Sequence, residues 1–98
     1  MKIEFDQAKS ERNVQLRGLP FSLVGEFDFE KAQIAEDDRR DYGETRLRAV
    51  GPLAGLIAVV IFTIREDALR VISLRLAGRK ERSKYEKGRH QKENKTSS

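Results

Sequence analysis

The sequence predicts an α+β fold: one compact domain with a mainly antiparallel sheet, two N-terminal helices and a C-terminal basic helix. Three features support it. Ile57–Arg65 is almost wholly apolar and rich in β-branched residues, the composition of a buried strand. Leu69–Arg75 alternates, with Arg70, Ile72 and Leu74 on one face and Leu69, Val71, Ser73 and Arg75 on the other. Glu66-Asp67-Ala68 between them is short enough for a hairpin loop, although it lacks the Asn-Gly or Asp-Gly pair of the tightest turns.

The other elements follow in order. Lys2-Ile3-Glu4-Phe5 alternates as a short opening strand. Asp6 can cap a helix over Gln7–Arg17, and Gly18 suits the left-handed position that ends it. Its apolar stripe is thin, chiefly Ala8, Val14 and Leu16, so most of that helix must stay wet. Leu19-Pro20-Phe21 turns the chain, and Ser22 can cap a second short helix through Phe27 with Leu23, Val24 and Phe27 buried. Glu30–Ala35 is a weakly patterned strand, and Glu36–Gly43 is a charged, solvated connection. Glu44–Gly51 alternates as a third strand, and Pro52-Leu53-Ala54-Gly55 breaks it. A basic helix begins after Ala77 and runs to about Tyr85. Residues 1–86 then form the domain, while 87–98 have no apolar side chain and are expected to stay out of the fold as a disordered tail.

Charge is unevenly spread beneath a formal net charge of +4. From Met1 to Ile64 there are nine Lys+Arg against eleven Asp+Glu, a balance of −2; from Arg65 to Ser98 there are eleven against five, a balance of +6. A basic end on a near-neutral body favours a polyanionic partner, nucleic acid or an acidic protein. With no cysteine there is neither a disulfide framework nor a thiolate metal site. Met1–Asp6 carries acids where a signal peptide needs an apolar core, and the apolar run at Leu53–Ile64 is well short of the roughly 20 residues of a membrane span. A cytoplasmic protein is expected, with no membrane partner.

Several chemistries lack their residues. His90, the sole histidine, sits in the polar tail without a partner, which speaks against imidazole catalysis. Glu36-Asp37-Asp38 has no histidine nearby and nothing to fix a metal geometry, so neither a metal nor another cofactor is expected. No glycine-rich loop precedes a helix, and Ser73 has no histidine to activate it. Arginine, lysine, tyrosine and glutamate around a strand surface remain. Such a set binds phosphates, and it can assist metal-free RNA cleavage, in which a ribose hydroxyl attacks the neighbouring phosphate and cations stabilise the transition state. Composition alone favours binding over catalysis.

Three segments in order resemble the BrnT toxins, the ribonuclease component of bacterial type II toxin–antitoxin pairs. Phe5-Asp6…Lys9…Asn13…Arg17-Gly18-Leu19-Pro20-Phe21 is similar to the family's opening, and Phe62-Thr63-Ile64-Arg65 to its Thr-x-Arg strand end. Arg70–Glu86 resembles the family's closing Arg-Ile-Ile-Ser-Ala-Arg…Glu-Arg…Tyr-Glu segment. The resemblance implies a RelE-like fold and an endoribonuclease that inhibits translation. It also implies neutralisation by a BrnA-type antitoxin, whose DNA-binding part carries the complex to its own operator. Two positions depart from the family pattern. Arg17 stands where histidine is common, and Phe62 where histidine or tyrosine is common. If either ring donates a proton in relatives, that donor is missing here.

With that resemblance, Arg65, Arg75, Ser73 and Glu81 are the catalytic candidates. The arginines would hold phosphate and the transition state, Ser73 would hydrogen-bond phosphate, and Glu81 would serve as base. Arg70, Lys80, Lys84, Tyr85 and Lys9 are the RNA-binding candidates, Tyr85 by stacking. Arg70 and Arg75 fall on opposite faces of an ideal strand. The bland alternatives are arginines that keep a strand edge soluble, a Glu81–Tyr85 pair that only packs the helix, and Lys9 and Asn13 in a cap network. Three functions stay open: a ribonuclease toxin, a catalytically inactive RNA- or protein-binding domain derived from one, and an interaction module whose exposed strands pair with another chain.

Overall fold

β4 (Leu56–Arg65) lies at the centre of a five-stranded sheet, and Ala58 to Thr63 along it are all buried. The computed structural model describes residues 2–39 and 43–96, with side chains from His90 onward outside the described residues. Around β4 the order is β1 (Lys2–Glu4), β5 (Ala68–Leu76), β4, β3 (Leu47–Leu53) and β2 (Gln33–Glu36). Every neighbouring pair is antiparallel except β1 with β5, so the architecture is α+β with a mostly antiparallel sheet. One α-helix precedes most of the sheet, α1 (Gln7–Arg17), and one follows it, α2 (Arg79–Thr96).

α1 has the expected bounds: the Asp6 carboxylate accepts from the Lys9 N–H, and Gly18 closes it at φ 72°. The expected second helix is a 3-10 helix, Phe21–Glu26, with Pro20 at its start and no side-chain cap from Ser22. Its buried residues Phe21 and Val24, with Phe27 just beyond, repeat every third position. That is the period of a 3-10 turn, and six residues interrupted by Gly25 are too few to sustain an α-helix. A second 3-10 turn, Phe29–Lys31, capped by Asp28, occupies the start of the expected second strand. It drives Phe29 against Phe27 and Phe62, and β2 begins only at Gln33.

β3 runs through Pro52, which pairs with Ile57, and turns at Ala54-Gly55 instead. Proline is tolerated because β2 ends its pairing at Val50, leaving that flank of β3 without a strand that needs its N–H. Ala54 and Gly55 both have positive φ, 49° and 82°, as a two-residue type I′ hairpin turn requires. Glu66-Asp67 makes the second two-residue turn with Glu66 at φ 56°, and Ala68 already belongs to β5. At Gly51 an added Cβ would come within 2.9 Å of the Ala32 Cβ, so only glycine lets the chain before β2 lie this close to β3.

One sheet face buries the core: Leu53, Ala49, Ala58, Val60, Phe62, Leu69, Val71 and Leu74, under Phe21, Val24 and Phe27. α1 closes the flank of β5 beyond Arg70, where β1 has ended. There the buried Asn13 amide donates to the Leu74 and Leu19 carbonyls, and the Ser10 hydroxyl accepts from the Phe21 N–H. α2 continues past Tyr85 to Thr96 as helix. Tyr85 anchors it, its hydroxyl donating to the Lys31 carbonyl at 2.7 Å while Gln33 donates to the Tyr85 carbonyl. No helix among the described residues is long and apolar enough to cross a membrane.

Candidate functional site

A β-bulge decides which side chains meet. Ser73 pairs with Ile61 and Val71 with Phe62, so Ile72 is an extra residue in β5. Val71 and Leu74, three apart, therefore both enter the core opposite Phe62 and Val60. On the other face Arg70 lies beside Thr63, Ser73 beside Ile61 and Arg75 beside Val59. Simple alternation separates Arg70 from Ser73 and Arg75; the inserted residue puts all three on the face away from the core.

More cations converge on this face. Arg48, on β3, also pairs with Ile61 and so flanks it opposite Ser73. Arg17, at the end of α1, reaches over the flank of β5, its Nη1 donating to the Ser73 hydroxyl at 3.5 Å. The Arg39 charge acts on Arg75 and opposes the raising of its pKa. Arg39 also forks the buried Asp37, whose carboxyl it holds below the ordinary range, so the second acid of the charged connection is committed to a structural ion pair. Two of these residues carry a signal in the chain itself: Arg48 alternates with Ala49 along a strand, and Lys9, Asn13 and Arg17 repeat every four residues on one helical stripe.

Arg75 and Glu81 form the strongest contact, two parallel bonds of 2.6 and 2.9 Å. A Glu81 oxygen also accepts from the Gly78 N–H at 2.9 Å, the reach of a glutamate in the first turn back to a helix cap. The Arg75 fork, aided by the Gly78 N–H and the Arg48 charge, holds the Glu81 carboxyl at about 2. While paired, Glu81 is therefore ionised and a poor proton acceptor near neutral pH. Arg75 in turn is raised by Glu81.

This pair makes stability sensitive to acid. A folded-state carboxyl at about 2 against an ordinary 4.5 contributes fully above 4.5 and loses its contribution as pH falls toward 2. With both partners partly exposed, the loss is on the order of 2 kcal/mol. A urea-unfolding series from neutral to acid pH is expected to show it, and Glu81→Gln is expected to lower stability at neutral pH and flatten that decline.

The remaining candidates are spread out. Arg65 is exposed at the far end of β4, pairing with Ala68 six residues along from Val59, about 20 Å from Arg75 at ~3.3 Å per residue. Lys80 and Lys84 are exposed on α2, beside β2. Tyr85 is 5 % exposed, with its pKa raised chiefly by burial and its hydroxyl committed to Lys31, so its ring offers no open face for stacking. Lys9 is exposed on the Asn13–Arg17 stripe of α1. Phe62 is 3 % exposed on the core face, edge-on to Phe29. Of the two departures, only Arg17 adjoins the basic face. Among the described residues no group of His, Asp and Glu is arranged to hold a metal ion.

What the arrangement can do is hold an anion: Arg70, Arg75, Arg48 and Arg17 surround Ser73 with forked donors over apolar strand residues. A family model described as "Ribonuclease toxin, BrnT, of type II toxin-antitoxin system" matches residues 5–81 of the chain. No curated protein matches it.

Proposed function

The chain belongs to the BrnT family of type II ribonuclease toxins, and from that premise we propose that it is a metal-independent endoribonuclease that inhibits translation and is neutralised by a BrnA-type antitoxin. The observation that carries this is the bulge at Ile72, which assembles Arg70, Ser73 and Arg75 on one face with Arg17 and Arg48 beside them. A scissile phosphate seated over Ser73 meets guanidinium groups from three directions. As the ribose 2′-oxygen bonds to phosphorus and the bond to the 5′-oxygen breaks, those donors stabilise the added negative charge. The proton lost by the 2′-hydroxyl finally reaches the departing 5′-oxygen.

Glu81 acquires a role through exchange. A phosphate that takes the Arg75 fork displaces the carboxylate occupying it. Released, Glu81 loses the contact that depresses it most and becomes a better proton acceptor next to the reacting group. Arg65 lies too far along the sheet to share that phosphate and would track RNA further along the strand. The antitoxin would cover the arginine face and the start of α2, and it would contact operator DNA through its own DNA-binding part.

The test is induction of this chain alone in a bacterial culture, with total RNA sampled over time. Growth arrest with RNA loss, relieved by co-expressing the cognate antitoxin, is the expected outcome. Normal growth with soluble, folded protein accumulating would replace it with a binding-only domain derived from such a toxin.

A further inference from the structure

We propose that the trough between the outer edge of β2 and α2 takes an extended acidic segment of a partner polypeptide, added to the sheet as a sixth strand. This does not require that the chain cleave RNA. β2 is the last strand of the sheet, and all four of its residues are exposed. The Asp37 N–H donates inward to the Arg46 carbonyl at 2.7 Å. Antiparallel alternation then turns Ala35 and Gln33 inward, and leaves the N–H and C=O of Ile34 and Glu36 pointing away from β3. Those groups are the template for another strand.

α2 supplies the second half of the site. Lys80, Lys84 and Lys87 are spaced four and three apart, on one helical face, and all are exposed. Lys80 and Lys84 line a groove of about 320 Å³ with Ile34, Ala35, Val50 and Tyr85. Lys87 continues the row beside Gln33 and Gly88. None of the three lysines has an ion-pair partner among the described residues. A strand beside β2 would turn alternate side chains toward this row and the others toward Ile34, which is half exposed on the opposite face. Acids at the first set and apolar residues at the second satisfy both surfaces. Nucleic acid could meet the lysines but has no backbone ladder to offer Ile34 and Glu36, so a polypeptide is favoured.

The probe is a labelled peptide alternating glutamate and valine, with a lysine–valine peptide and an oligouridine as competitors, titrated by anisotropy against the full chain. Binding of the acidic peptide, with slowed amide exchange at Ile34 and Glu36, is expected. Ile34→Pro removes an outward-facing N–H together with the Ile34 side chain and breaks no ladder bond to β3, and a Lys84→Glu/Lys87→Glu chain reverses the row; each is expected to weaken the peptide by at least about tenfold. A melting curve for each variant confirms that it is folded. Acidic peptide binding no tighter than the lysine–valine peptide, or unchanged in Ile34→Pro, would overturn the proposal. So would oligouridine binding that Lys84→Glu/Lys87→Glu abolishes while leaving peptide binding intact; that result assigns the row to RNA. Because growth arrest is measured separately, loss of either conclusion leaves the other standing.

Discussion

Replacing Arg75 by glutamine is expected to abolish growth arrest and to lower RNA cleavage on the order of 100-fold, about 3 kcal/mol of transition-state stabilisation. The Arg75 fork already holds a bidentate anion beside Ser73, so its geometry is set before substrate arrives. The complication is structural: without Arg75, Glu81 keeps its charge and loses its partner. Arg75→Gln should therefore also melt earlier. Combining it with Glu81→Gln removes the stranded charge and is expected to recover part of the stability without recovering cleavage. If the double variant regains both, Arg75 acts only by holding α2 in place. Arg75→Lys keeps the charge and loses the fork, and cleavage near that of Arg75→Gln would show that two-point contact, not charge alone, is what the reaction needs.

Phe62→His is expected to cost about 3 kcal/mol of stability and to gain no cleavage. The family pattern alone suggests the opposite, since histidine is common there and could supply a proton donor. The structure turns Phe62 into the core, between Val71 on β5 and Leu47 on β3 and against Phe29. An imidazole there meets apolar neighbours and lies on the far side of the sheet from Ser73. Thermal unfolding together with an RNA cleavage assay checks both halves. Cleavage above that of the parent chain would mean that position 62 reaches the RNA, and the assignment of the two faces would fall.

Much of this was legible in the residues. Asp6, Gly18 and the helix between them follow from capping chemistry, which is local. The apolar run at β4 could be read as buried because both its faces are apolar. The Ser22–Phe27 segment was legible as a short helix, and the spacing of three between Phe21, Val24 and Phe27 is what marks it as the tighter 3-10 form. Harder to read was anything set by a single extra residue or by distant partners. Strict alternation misassigns Arg70, since nothing in Val71-Ile72-Ser73 announces a bulge. Alternation puts Arg48 on a strand face, but the strand order that sets it beside Ile61 and the loop return that brings Arg39 are encoded by no spacing. Tyr85, singled out as an aromatic for stacking, is buried because its hydroxyl finds a carbonyl 54 residues away in sequence.

The inserted residue in β5 also bears on how this protein can vary in length. Without Ile72, the strand would read Leu69-Arg70-Val71-Ser73-Leu74-Arg75, a faultless alternation that sends each of these side chains where it already points. Shortening the chain at that one position should leave the core composition and the strand pairing intact, relaxing only the local bend. With the bulge closed, deleting Arg70 instead would turn Val71 toward water, and deleting Leu74 would turn Ser73 into the core. The bulge at Ile72 is thus a place in β5 where the gene can lose a codon without turning the sheet inside out.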